Sequence, residues 1–453
     1  MGDKSVNLKR VLNLRHVIFF GLAFMAPHTL FATYGIVAVE SNGMIATGYI
    51  IALFVMLFTA YSYAQLVKAF PSAGAAYTFV QKAINPYLGF LVGWVILLDY
   101  MLSPMISALL LGIALSAFFP SIPIFIWIVL FVLIISIVNI RGVKFAANFN
   151  TYVFLLQLLV FVLFFIFSVK YLLNGGGSGK LLSINPFINQ NVDLSTLITV
   201  IPILCFTFLG FDAITALSEE TKNPKQTLPK AIYAIPLIGG LLYVVSSYLL
   251  EMVHPNIQTF VNPDSAYLEI ANIIGGLFLQ STFVAVALTA GFASAVASGS
   301  SASRILYAMG RENILPKRIF GYLSPKFHTP VYNILIVGLV AMFALIFDLA
   351  LATSFITFGA FFAFCFVNIS VIVHYFVKGK KRTLQGTFRY LVIPLVGAIL
   401  IFSLLVNMEI NALILGGIWF AIGFLYLLIQ TRLFKSPPPT MFEGKESINR
   451  EVV

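Results

Sequence analysis

Apolar residues in this chain come in long unbroken runs, and polar residues gather between them. The runs cover about residues 17–38, 46–67, 88–116, 123–140, 150–170, 195–217, 232–253, 279–303, 330–348, 351–377, 390–407 and 411–431. Each is close to the ~20 residues that a helix needs to cross the hydrocarbon core of a bilayer. The pattern therefore predicts an all-α integral membrane protein with twelve transmembrane helices. Composition agrees: 60% of the 453 residues are hydrophobic, 9% are charged and the mean hydropathy is +0.99, well outside the range of soluble domains.

Charge placement supports the same count. With a cytoplasmic N-terminus, twelve crossings put 25 of the 27 Lys and Arg residues on the cytoplasmic side and leave only Lys170 and Lys180 outside, as the positive-inside rule requires. Eleven or thirteen crossings would throw the "KGKKR" loop or the C-terminal basic residues onto the wrong side. The net charge of +11 then reflects topology and attraction to anionic lipid, with no call for nucleic acid. The first apolar run is too long for a signal-peptide core and no cleavage pattern follows it, so it reads as a retained helix. Short tails at 1–16 and 432–453, both cytoplasmic, leave no room for an attached soluble domain.

Several chemistries find no support. Cys205 and Cys365 both fall inside predicted helices, too few for a disulfide framework or a zinc site, and read as packing residues. There is no His-Glu-x-x-His, no phosphate-binding loop and no Ser nucleophile elbow. Neither an enzyme nor an ATP-driven pump is expected, and no cofactor. Nothing repeats as a pore-lining filter would.

Two interruptions stand out. In "FFGLAFMAPHTLFATYG", Gly21 and the group Ala26, Pro27 and His28 break the first run near its centre; in "FTFLGFDAI", Gly210 and Asp212 break the sixth. Pro27 removes a backbone donor and clashes with the preceding turn, and a mid-helix Gly relaxes the backbone. Backbone groups freed at membrane depth persist only where they line a cavity. The two breaks recur five helices apart, and an odd-numbered repeat re-enters the membrane in the opposite orientation, the inverted-repeat plan of secondary transporters. That plan divides the chain into a first repeat at 17–173, an outer linker at 174–194 that begins with the flexible "NGGGSGK", a second repeat at 195–377, and two further helices within 378–431.

The segment "GFDAITALSEETKNPKQTLPKAI" resembles the sixth-helix signature of the amino acid, polyamine and organocation permeases. Three more segments agree with it in order: "FPSAGAAYTFVQKAINPYLGFLVGW", "NIRGVKFAANFN" and "SASRILYAMGRENILPKRIF". The resemblance runs from about residue 15 to 430. It implies a LeuT-like fold of two inverted five-helix repeats plus two C-terminal helices in a cell membrane, with the substrate held between the broken helices one and six. The "LLDY" run before Pro104 and "GLAFMAP" resemble the bacterial putrescine and polyamine importer branch.

Departures from the family pattern bear on the substrate. Amino acid carriers of this superfamily usually bind the carboxylate on bare amides of a Gly-rich break in helix one; here the matching residues are Met25, Ala26, Pro27 and His28, and Pro27 has no amide hydrogen. A ligand without an α-carboxylate is favoured. Asp99 lies about a dozen residues into the third span, where a lone carboxylate costs ~2.5 to 3.5 kcal/mol on insertion scales; a cationic ligand, a proton, a hydroxyl or a backbone group can offset that cost. An ammonium offers three donors and no acceptor, so a diamine is expected to use Asp99 at one end and carbonyls around Phe206, Thr207 and Phe208 at the other. Phe24, Tyr100, Phe206, Phe208 and Phe211 are candidate aromatic walls, and Gly21, Met25, Ala26, His28 and Gly210 are candidate substrate-binding residues at the two breaks.

Asp212 is a candidate gate or proton carrier. Glu219 and Glu220 are candidate latch residues toward Lys222, Lys225, Arg304 or Arg311, or else solvated surface charges. Gln157 falls where some sodium-independent relatives of this superfamily carry a helix-five Lys in place of an ion. Proton coupling through Asp99, Asp212 or His28, a sodium site with Ser298 and Ser301, and simple exchange all stay open. The expected function is import of putrescine or a related amine, with an amino acid permease as the near alternative and a non-transporting nutrient sensor as the remote one.

Overall fold

Some helix ends follow from local chemistry. The computed structural model describes residues 10, 12–71, 75–141, 147–188, 194–219, 221–311, 315–327 and 329–438. Helix α1 (Leu14–Met25) is capped by Asn13, whose Oδ1 accepts from His16 N at 3.1 Å, the reciprocal N-terminal arrangement that satisfies orphan amides. It ends at Ala26 in the left-handed region (φ 47°), and α2 (Thr29–Ser41) continues at a bend of 43°. Then come α3 (Ile45–Ala69), the short α4 (Ala75–Ala83), α5 (Pro86–Phe118), α6 (Ile124–Arg141) and α7 (Ala147–Leu173). The second half carries α8 (Leu194–Phe206), α9 (Pro224–Val253), α10 (Ala266–Arg311), the one-turn α11 (Lys317–Phe320), α12 (Val331–Ala341), α13 (Leu349–Val371), α14 (Leu384–Thr387), α15 (Ile393–Val406) and α16 (Ile410–Gln430).

Among the described residues, nine helices are long and apolar enough to cross a membrane, the bent pair α1–α2 makes a tenth, and two shorter apolar helices lie at Ser195–Phe206 and Val331–Leu345. The only β-bridge among them joins Leu12 to Thr221, where Lys222 N donates to Leu12 O at 2.8 Å. The apolar runs mark the helices but not their ends. Helix α9 begins at Pro224, ahead of the run at 232, because Pro is pre-organised for a first helical turn and the polar residues after it face out. Helix α10 joins two helices at Gly276 (φ 61°, ψ −160°), so its outer piece precedes the run at 279. Helix α4 sits between spans and is too short for a hydropathy reading.

Packing pairs particular helices. Helix α3 lies along α9, α5 along α10, and α6 along α12, while α1 rests on α7 and α9. At the far side α16 is tied to α5 by a reciprocal pair: Trp94 Nε1 donates to Trp419 O at 3.1 Å and Trp419 Nε1 to Trp94 O at 3.0 Å, with the rings stacked at 5.1 Å.

Candidate functional site

The two breaks meet. Gly210 has φ +101°, and a Cβ there would lie 2.5 Å from Phe24 Cδ1 and 3.3 Å from Met25 N; only a glycine lets the α8 break approach the α1 break this closely. Beside the junction a cavity opens between α1–α2, α5, α7, α8 and α10, with about 1340 Å³ of space between atoms, part of it open to solvent.

Backbone accounting shows what the first break presents. A continuous helix would pair the carbonyls of Ala23, Phe24 and Met25 with the N–H groups of residues 27, 28 and 29. Pro27 has no N–H; His28 N–H donates to Gln157 Oε1 at 3.3 Å; Thr29 N–H donates to Ala26 O at 3.0 Å. Three carbonyls lose their helical donors, and all three residues line the cavity. The amides that open α2 are already used, Leu30 N on Pro27 O at 3.3 Å and Phe31 N on His28 O at 3.0 Å. The break offers acceptors and almost no donors.

At the second break the chain tightens before turning. Thr207, Phe208 and Leu209 N–H donate to the carbonyls of Leu204, Cys205 and Phe206 at 3.2, 3.0 and 3.0 Å, and a 3₁₀ segment resumes at Ala213–Glu219. Thr207 O does not face a ligand: it accepts from the buried Tyr243 hydroxyl at 2.6 Å.

Asp99 stands on the cavity wall, and among the described residues no Lys or Arg lines the cavity. Ser103, one turn on, donates its Oγ proton to Asp99 O at 2.6 Å, with Oδ1 at 3.2 Å. Behind this wall Tyr63, Tyr100 and Asp212 are close enough to Asp99 to interact electrostatically, and Tyr63 donates to Asp212 Oδ2 at 3.1 Å.

Of the residues singled out from the sequence, Phe24, Met25, Ala26, His28, Asp99, Phe206, Gly210 and Ser298 line the cavity. Others lie elsewhere. Phe208 and Phe211 are fully buried in the packing behind the break, against Tyr243 and against Tyr63 and Phe364, because the turn after Phe206 rotates them away. Tyr100 and Asp212 sit behind the wall rather than on it. Gly21 is a helix contact: a Cβ there would meet Ile235 Cδ1 at 2.2 Å. Gln157 is buried and clasps His28 without lining the cavity. Ser298 donates to Ser294 O at 2.7 Å, while Ser301 is not on the cavity lining. Glu220 and the side chain of Glu219 lie outside the described residues.

Sequence reasoning missed Ser103, Ser107, Ser294 and Tyr267, which line the cavity. The first two carried a readable signal, falling four and eight residues after Asp99 on one helix face. Tyr267 carried none, since it lies on the first piece of α10, before the Gly276 kink.

Residues 16–435 match the amino acid permease family. The chain is 42% identical to the low-affinity putrescine importer PlaP of Escherichia coli K12 over 439 residues, 97% of each chain. It is 26% identical to a methylthioribose transporter of Bacillus subtilis, over 95% of each chain. With the branched-chain amino acid permease BcaP of the same organism it shares 25% identity over 95% of this chain and 94% of that one.

Proposed function

Because the chain belongs to the amino acid permease family, we propose that it is a secondary-active, multi-pass membrane transporter that imports putrescine or a related small cationic amine by alternating access, coupled to protons. The observation that carries this reading is the pairing of one cavity carboxylate, Asp99, with three carbonyls released at the α1 break and no Lys or Arg among the described residues of the lining to neutralise either. Such a site is all acceptor. An ammonium is all donor, and cation and carboxylate complement each other.

The same accounting disfavours a carboxylate ligand at the first break, where no amide is left unpaired to receive it. The putrescine importer similar to this chain supports the amine reading. The branched-chain permease keeps the amino acid reading as the alternative.

Twelve crossings with both termini on one side follow if the two short apolar helices complete the nine spans and the bent pair, and the placement of Lys and Arg makes that side the cytoplasm. Two inverted five-helix repeats are supported by the packing of span two on seven, three on eight and four on nine, and by breaks in spans one and six. Asp99 is the proposed proton carrier, since among the described acidic residues it alone lines the cavity. Uptake of labelled putrescine into proteoliposomes, with and without an imposed proton gradient and in sodium-free buffer, tests this. Gradient-driven, sodium-independent uptake supports it; uptake of amino acids with putrescine ignored would replace it with the amino acid permease reading.

A further inference from the structure

Asp99, Ser103 and Ser107 fall at i, i+4 and i+8 on α5, and all three line the cavity. Consecutive members are about 6 Å apart along the helix axis, and the outer two about 12 Å. Ser103 spends its proton on Asp99, so its oxygen keeps lone pairs for a donor. Ser107 is different. It is 7% exposed, lines the cavity, and its hydroxyl has no hydrogen-bond partner among the described residues. Tyr267 repeats this at the outer part of the cavity: it is 5% exposed, its ring packs on Phe283 at 5.9 Å, and its hydroxyl is likewise without a partner. The 3₁₀ turn Pro263–Ser265, just ahead of Tyr267, packs on α5. Both oxygens are reached from the cavity rather than sealed in the packing, so each is open to a hydrogen-bond donor that enters it.

The spacing identifies its class. An extended amine advances about 1.25 Å per bond along its chain. The nitrogens of putrescine, five bonds apart, are then about 6 Å apart, and those of a linear triamine such as spermidine about 5 and 6 Å, or 11 Å end to end. An amine lying along α5 places each nitrogen beside its acceptor, because the acceptors project from one wall. Putrescine reaches from Asp99 to Ser103 and stops short of Ser107.

We propose that Ser107 and Tyr267 form a second polar subsite that holds the third nitrogen of a linear triamine whose first nitrogen lies at Asp99. This rests on the amine reading of the cavity. The ammonium donates to Ser107 Oγ and Tyr267 Oη, and the methylene segments lie against the alanine-rich face of α10.

Binding of putrescine, spermidine and 1,8-diaminooctane to the purified full-length protein, by calorimetry, tests the subsite. Spermidine should bind at least as tightly as putrescine and compete with it; the diaminooctane, with the same end-to-end span and no middle nitrogen, should fall between. Ser107→Ala and Tyr267→Phe, each removing one hydroxyl, should raise the ratio of spermidine to putrescine Kd about tenfold, the loss expected for one charge-assisted hydrogen bond. An unchanged ratio in both variants would overturn the subsite while leaving the amine reading intact. Affinity for all three amines unaltered by Asp99→Asn, or binding by none of them, would overturn both.

Discussion

The backbone N–H of His28 and the side-chain oxygen of Gln157 lie 3.3 Å apart, and the same oxygen is 3.2 Å from His28 Nδ1. One amide on α7 thus clasps both the main chain and the ring of the residue that follows Pro27, while its own Nε2 is buried without a partner. Pro27 breaks helix one, and Gln157 gives the His28 N–H left off the helix its partner.

Gln157→Leu should therefore cost about 1–3 kcal/mol, the penalty of an unpaired buried donor. A lowered melting temperature together with weaker putrescine binding is the expected result. A variant as stable and as tight-binding as the native protein would show that the clasp is incidental.

Asp99→Asn keeps the shape of the wall and removes its charge. Hydrogen bonds to charged groups are worth about 1.5–3 kcal/mol, so affinity for putrescine should fall roughly 10- to 100-fold. Calorimetry on the purified variant checks this, with the melting temperature as a control for folding.

Gly210→Ala places a methyl where Phe24 already sits and asks an L residue to hold φ +101°. Either the α1 break moves or the turn refolds. Uptake should fall by at least tenfold, and the cost in stability should be about 1 kcal/mol or more. Gly291→Ala is the comparison: its Cβ would meet nothing closer than Ser107 O at 3.9 Å, so its melting temperature should stay near native.

Glu251 serves a different end of the molecule. Its carboxylate accepts from Met44 N at 2.8 Å and Ile45 N at 3.1 Å, capping α3 after three consecutive left-handed residues, Asn42, Gly43 and Met44. A negative charge at a helix N-terminus is favourable, and the arrangement also satisfies two amides that open the helix. Glu251→Ala should lower stability by about 2 kcal/mol or more without moving the putrescine Kd, since the residue is not on the cavity lining. A large change in Kd at unchanged stability would contradict the capping role.

Much of this was legible before any helix was placed. Pro27 and Gly210 mark the breaks because the loss of an amide hydrogen and the freedom of a glycine are properties of single residues. Asp99 announces itself because a carboxylate in an apolar run is expensive wherever the helix turns. Phe208 and Phe211 were misplaced for the opposite reason. With aromatics at 15% of the chain, an aromatic near a break is no sign of the direction it faces, and the tight turn after Phe206 swings both into the core.

The sequence alone determined which segments are apolar enough to span, where two of them break, and which carboxylate lies at depth, since hydrophobic run length and backbone chemistry are local. Only the tertiary structure decided that Gln157 meets His28, that the α8 break approaches Phe24, and that Ser107 and Tyr267 share a cavity. Helices apolar on every face carry no stripe to tell which side turns inward, so their rotation about their own axes, and with it every polar meeting, is set by packing against neighbours.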